Sequence, residues 1–120
     1  MKFISLFVFL FLTQHTFANN LKAEIHYLKT FISNSQCTYN RNGDLHSAKE
    51  ALEHIQKKHD YFKDDIHTAE DFIEKSASKS TMSGKTYTVI CPATEGVGQQ
   101  TITSQTWLLG ALANYRNQQK

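Results

Sequence analysis

Ser35 to His59, SQCTYNRNGDLHSAKEALEHIQKKH, holds a cysteine, a hairpin turn and a capped helix in one short segment, and its reading decides the fold. Thr38, Tyr39, Asn40 and Arg41 lead into Asn42-Gly43, a pair that tolerates positive φ at both central positions of a tight hairpin. Asp44 to His46 then return antiparallel. Ser47 and Glu50 stand three apart directly before the apolar positions Ala51, Leu52 and Ile55. Hydroxyl and carboxylate can each satisfy a free amide of the first turn, so the spacing predicts a helix from Ala48 to about Lys58.

Towards the N-terminus, Leu21, Ile25, Leu28 and Ile32 recur at three- and four-residue steps with Tyr27 and Phe31 beside them, the pattern of an amphipathic first helix. Before it, Lys2 precedes the unbroken apolar run Phe3 to Leu12 and the small residues Thr16 and Ala18. This reads as a secretory signal peptide over residues 1–18, cleaved after Ala18, with residues 19–120 as one compact exported domain. The apolar run falls short of the roughly 20 residues a bilayer-spanning helix needs, and no second hydrophobic stretch follows, so no transmembrane segment is expected in the mature chain.

Towards the C-terminus, Thr68 and Asp71 repeat the hydroxyl-x-x-carboxylate signal for a third helix that carries Ala69, Phe72, Ile73 and Ala77 inward. The serine-rich stretch Ser76 to Ser83 reads as a loop, and Tyr87 to Cys91 as a strand that Pro92 ends. Gly96 and Gly98 make the next loop, and Gln100 to Ile102 a short returning strand. Thr103 or Ser104 caps a last helix with Trp107, Leu108, Ala111, Leu112 and Tyr115, in which Trp107 is the expected core anchor. The sum is an α+β single domain: about four helices packed on a small antiparallel sheet made of hairpins.

Thirteen Lys and Arg stand against eleven Asp and Glu, and one of the thirteen is Lys2 in the leader. The exported portion is thus close to neutral with its charges interspersed, which argues against nucleic acid as a partner. Cys37 and Cys91, the two cysteines, both lie in the exported portion, where the compartment is oxidising, so a disulfide between them is expected. Closing their 54-residue separation contributes about 4 kcal/mol in the chain-entropy picture. Period-two alternation then sets Tyr39 and Val89 on the same sheet face as the two cysteines.

His26, His46, His54, His59 and His67 form no metal box, because His54 and His59 are five apart rather than four and no carboxylate spacing matches a zinc or calcium loop. No metal and no cofactor is expected. His54 sits one helical turn before Lys58, on the helix that follows the hairpin carrying Arg41. Arg41, His54 and Lys58 can therefore converge on a carboxylate, phosphate or sulfated sugar. The plainer alternative makes Arg41 a pin for a helix end, His54 a backbone partner in the hairpin, and Lys58 a solvated lysine. Ser78, Ser80, Ser83 and Gly84 are a second candidate, able to cradle an anion with loop amides or to offer a nucleophile to His54. Ordinary loop and capping serines are the competing reading there.

The order and spacing of Cys37-x-Tyr39-x-Arg41-Asn42-Gly43, Ala48 to Ala51 with His54 and Lys58, Thr68 to Ile73, Ala77 to Ser80, Ser83-Gly84-x-x-Tyr87 and Trp107-Leu108 with Arg116 resemble the YfeK-like family of small exported bacterial proteins of unknown function. The resemblance covers nearly all of the exported portion. It implies a periplasmic or secreted protein of a Gram-negative envelope and a single compact domain, and it implies no activity. The chain departs from the family pattern in its longer loop from Pro92 to Gly98 and in its second cysteine, so the disulfide rests on the compartment alone.

These readings favour a non-enzymatic binding or accessory module offering Arg41, His54, Lys58, Ser83 and Gly84 to a small anionic ligand or an envelope protein. A small periplasmic hydrolase or transferase is the alternative, with His54 as base, a loop serine as nucleophile and Arg41 as charge stabiliser. A secreted enzyme inhibitor fits the size and the disulfide but has no motif behind it.

Overall fold

The computed structural model describes residues 15–120. The expected leader run Phe3 to Leu12 lies outside the described residues. The elements follow in the order α1 (His15–Asn34), β1 (Thr38–Arg41), β2 (Asp44–His46), α2 (Ala48–Phe62), α3 (Ala69–Ala77), β3 (Thr88–Cys91), β4 (Gln100–Thr103) and α4 (Ser104–Gln118), with a 3-10 turn at Lys63–Asp65. The four strands form one antiparallel sheet in the order β2-β1-β3-β4. The α+β architecture of four helices and a small antiparallel sheet is thus the one the sequence predicts.

Asn42 (φ 56°) and Gly43 (φ 89°) carry the hairpin turn in the left-handed region, and Asn40 Oδ1 accepts a hydrogen bond from Gly43 N at 2.9 Å. The turn pairs Arg41 with Asp44 and Tyr39 with His46. Across the other edge of β1, Tyr39 lies opposite Val89, and both side chains are fully buried. Cys37 and Cys91 share that inward face and are bonded, with their Cα atoms 4.2 Å apart. The outward face is mostly polar, carrying Thr38, Asn40, Thr88, Thr101 and Thr103 beside Ile90 and the exposed Leu45, on the solvated side of the antiparallel sheet.

Tyr39 also locks the sheet to α4. Its hydroxyl makes a buried 2.9 Å hydrogen bond with Ser104 Oγ, and burial pushes the phenol up to about 12. The core is continuous across the layers: Ile25, Leu28 and Ile32 of α1, Ala51 and Ile55 of α2, Phe72 and Ile73 of α3, and Leu108 and Leu112 of α4. Leu108 takes the fully buried position in α4. Trp107, the expected anchor, packs at the edge of the core, its ring 4.7 Å from Phe31 and 6.0 Å from Tyr39.

The caps separate into a whole and a half. Thr68 and Asp71 satisfy each other's amides as a full capping box, and Asp71 also accepts from His67 N. Ser47 accepts from Glu50 N, but the Glu50 carboxylate turns to His46 Nδ1 at 3.0 Å instead of returning to the cap. The second helix also continues past Lys58 to Phe62, because nothing between them breaks it and Phe62 reaches the core one turn beyond Lys58. The Tyr61-Phe62 pair divides accordingly, with Phe62 against the core and Tyr61 80% exposed.

Arg116 gathers three helices in a way no periodicity announces. Its guanidinium holds both carboxylate oxygens of Glu24 on α1, at 2.6 and 3.0 Å, and both of Glu70 on α3, at 2.8 and 2.9 Å. This shared clamp holds the Glu70 carboxyl below its ordinary range. Reduction of Cys37–Cys91 is expected to lower unfolding free energy by about 4 kcal/mol, read from urea midpoints with and without reductant. Unchanged midpoints would show that the bond adds nothing to the packing of β1 on β3.

Candidate functional site

Alternation along the strands decides which polar groups face the helices. Cys37, Tyr39 and Arg41 share one side of β1, His46 lies opposite Tyr39, and Tyr87 precedes Val89 and Cys91 on the same side. Continuing the β1–β3 register one step past Asn40 and Thr88 sets Arg41 opposite Tyr87. Helix α2 passes over this end of the sheet and presents Glu50, His54 and Lys58 from successive turns. Arg41, His54 and Lys58, grouped from sequence spacing, therefore do meet, and they meet around a residue that spacing did not single out, Tyr87.

The Tyr87 ring is buried. His54 lies edge-on to it at 6.1 Å, and its Nε2 is 3.2 Å from the Tyr87 hydroxyl. The Lys58 ammonium sits 5.1 Å from the ring centroid and 3.5 Å from the same hydroxyl, and it donates at 2.6 Å to the carbonyl of Lys79. Burial holds His54 down to about 4, and the charges of Arg41, Lys58, His46 and Lys57 push the same way. The imidazole is therefore neutral at physiological pH. Lys58 donates to the phenol oxygen and His54 Nε2 is paired with the same hydroxyl, linking ammonium, phenol and imidazole.

Arg41 completes the cluster. One terminal nitrogen donates to His46 Nε2 at 3.3 Å, and His46 in turn donates from Nδ1 to Glu50. Its Nε is buried and has no hydrogen-bond partner among the described residues. Lys58 is itself only 8% exposed, and its pKa is lowered by burial and by the nearby charges of Arg41 and Lys79. A buried lysine, a half-buried arginine whose Nε is buried and a neutral histidine thus share a corner with no carboxylate in direct contact. The expected solvated Lys58 of the plainer alternative is not found, nor is a backbone bond from His54.

Ser83 and Gly84 play a different part. The turn from Ser80 to Lys85 closes on itself: Ser83 N and Gly84 N donate to Ser80 Oγ and Ser80 O, and Lys85 N donates to Ser83 Oγ. Ser83 Oγ donates to Asn42 Oδ1 at 2.8 Å, fastening this turn to the tip of the hairpin. The amides of Ser80, Ser83, Gly84 and Lys85 are committed internally, and the turn braces the hairpin beside Arg41. Ser78 is likewise spent on the carbonyl of Ile73. Among the described residues, His54 hydrogen-bonds the phenol of Tyr87 and none of these serines. Lys58, Glu74, Lys75, Lys79, Ser80 and Gly84 line a cleft of about 320 Å³ that shares Lys58 with the cluster. Among the described residues, no three His, Cys, Asp or Glu side chains gather as metal ligands.

The model of a family of unknown function, DUF5329, matches residues 19–116. The chain belongs to that family. Over 60 residues it is 40% identical to the uncharacterized protein YfeK of Salmonella typhimurium, a match that spans half of each chain. The YfeK-like resemblance read from the motifs is thereby shown. No solved structure matches the chain.

The depressed His54 pKa has a definite consequence for stability. An unfolded imidazole takes up its proton near 6.5, whereas the folded one does so only near 4. The unfolded state binds more protons across that window, so stability falls as pH drops from about 6.5 to about 4. Urea unfolding at successive pH values is expected to show this slope, with His54→Gln flattening it. An equal slope in the variant would place the effect on other groups, such as His59, which burial also lowers.

Proposed function

We propose that this chain is an exported, non-enzymatic binding module of the bacterial envelope that takes a small anionic group, a carboxylate or phosphate, at the Arg41–His54–Lys58 cluster. The observation that carries this reading is the buried Arg41 Nε without a partner, beside an ammonium that has only neutral oxygens as acceptors. Buried donors are ordinarily satisfied, and buried cations are ordinarily paired. An anion seated between them would answer both needs at once, with Arg41 as a fork and Lys58 as a point charge. It would also offset the positive charges that add to burial in holding His54 neutral, so binding and His54 protonation would reinforce each other.

Export rests on the leader over residues 1–18, cleaved after Ala18, and is in keeping with a disulfide between Cys37 and Cys91. A periplasmic or secreted domain of residues 19–120 follows from that reading. The uncharacterized relative, of whose length the match covers about half, adds no substrate or partner.

Inorganic phosphate and acetate at millimolar concentration are expected to raise the melting temperature, and to raise the His54 pKa read from its ring proton resonances. At a hundredfold excess over Kd the stabilisation is about 2.7 kcal/mol. Arg41→Lys keeps the charge but loses the fork, and is expected to weaken binding about tenfold. If neither anion moves the melting temperature or the His54 resonance, the cluster is a structural device. Export is checked separately by the mass of the periplasmic product, which should begin at Asn19.

A further inference from the structure

A second cavity, away from Arg41 and Tyr87, opens where α1 faces the end of α2. It is an open groove of about 500 Å³, within the range of small-molecule sites, and its apolar lining is Leu21, Ile25 and Ile66. Ile25 and Ile66 are buried members of the core, so the floor is a fixed apolar surface rather than a mobile one.

The walls carry charge of one sign. Lys22, His26 and Lys29 project from α1, and His59 and Lys63 from α2 and the turn after it; no carboxylate lines the cavity. Lys29 sits deepest of the lysines. Its Nζ is 3.1 Å from His59 Nδ1 and 5.9 Å from the centroid of the Phe72 ring. The acidic residue that acts on it is Asp60, an exposed neighbour of His59 that does not line the cavity. Nothing in the first site explains this arrangement, since Lys58 and His54 face the sheet while His59, one residue on from Lys58, faces α1.

An apolar floor under a cationic rim matches a molecule with an apolar chain and an anionic head. We infer that this cavity binds a free single-chain fatty carboxylate, its chain on Leu21, Ile25 and Ile66 and its head between Lys29 and the rim lysines. Charge complementarity selects the head: a quaternary ammonium of the same chain length would meet three lysines, and an uncharged alcohol would leave them unanswered. The chain supplies affinity through apolar area removed from water, and the rim supplies selectivity.

The probe is dodecanoate below its micellar concentration, added to the purified protein and followed by calorimetry and by methyl resonances of Ile25 and Ile66. Saturable one-to-one binding is expected, with those two methyl groups shifting, and at least about tenfold weaker binding of dodecanol and dodecyltrimethylammonium. Lys22→Glu and Lys63→Glu, both at exposed positions, are each expected to weaken dodecanoate about threefold while leaving the melting temperature of the free protein unchanged. Lys29→Met is expected to weaken it further while improving dodecanol. Equal binding of all three probes, still Ile25 and Ile66 resonances, or indifference to both rim reversals would overturn the inference. So would efficient competition by anionic phospholipid vesicles carrying no free fatty acid, which would make the face a membrane contact.

Discussion

The pairing of β1 with β3 is the constraint on which the rest of the molecule depends. These strands lie far apart in sequence, and their alignment is fixed twice over, by the buried Tyr39–Val89 pair and by the Cys37–Cys91 bond two residues further along the same face. A slip of one residue would turn Tyr39 and Val89 to solvent and carry Arg41 away from the helices. Tyr39 extends the constraint to the last helix through Ser104, whose amide is held by the carbonyl of Tyr87. One register therefore sets the core, the seat of α4 and the corner where Arg41 meets Tyr87.

That corner runs against the usual economy of a small domain. Burial disfavours charge on Lys58 and His54, and like-charged neighbours disfavour it again, yet the chain brings a guanidinium and two further basic side chains to one phenol. His54 yields by staying neutral. Lys58 is sustained by a carbonyl and a ring face, and Arg41 by a histidine that is itself anchored to Glu50. Concentrated cost of this sort, in a fold where Ser76 Oγ is the other buried side-chain atom without a partner among the described residues, marks a position where stability and function pull in different directions.

Much of this was legible in the sequence, for identifiable reasons. Asn42-Gly43 admits few conformations other than a tight turn, and Thr68 with Asp71 states its cap in side-chain chemistry, so both were readable locally. Strand parity was enough to place Tyr39 and Val89 with the cysteines. What escaped was tertiary. Tyr87 looked like one more strand residue until the β1–β3 register set it opposite Arg41, although its parity with Val89 was a usable hint. Burial of Lys58 depends on a carbonyl at Lys79, which no helical periodicity can announce. Ser83 and Gly84 carried the letters of an anion loop, but their amides were already spent within the turn. Arg116 joins residues from three helices, and sequence offers no spacing for such a contact.

The two outer strands are short, β2 spanning three residues and β4 four, and the open face between them carries threonine and asparagine with Leu45 and Ile90 among them. Sheet edges are where one copy of a protein recruits another into a growing ladder. Here each edge offers only a few backbone groups before it ends in a helix cap, Ser47 on one side and Thr103 on the other. The same caps that start α2 and α4 thus serve as stops against self-assembly, and the sheet keeps little edge on which to aggregate.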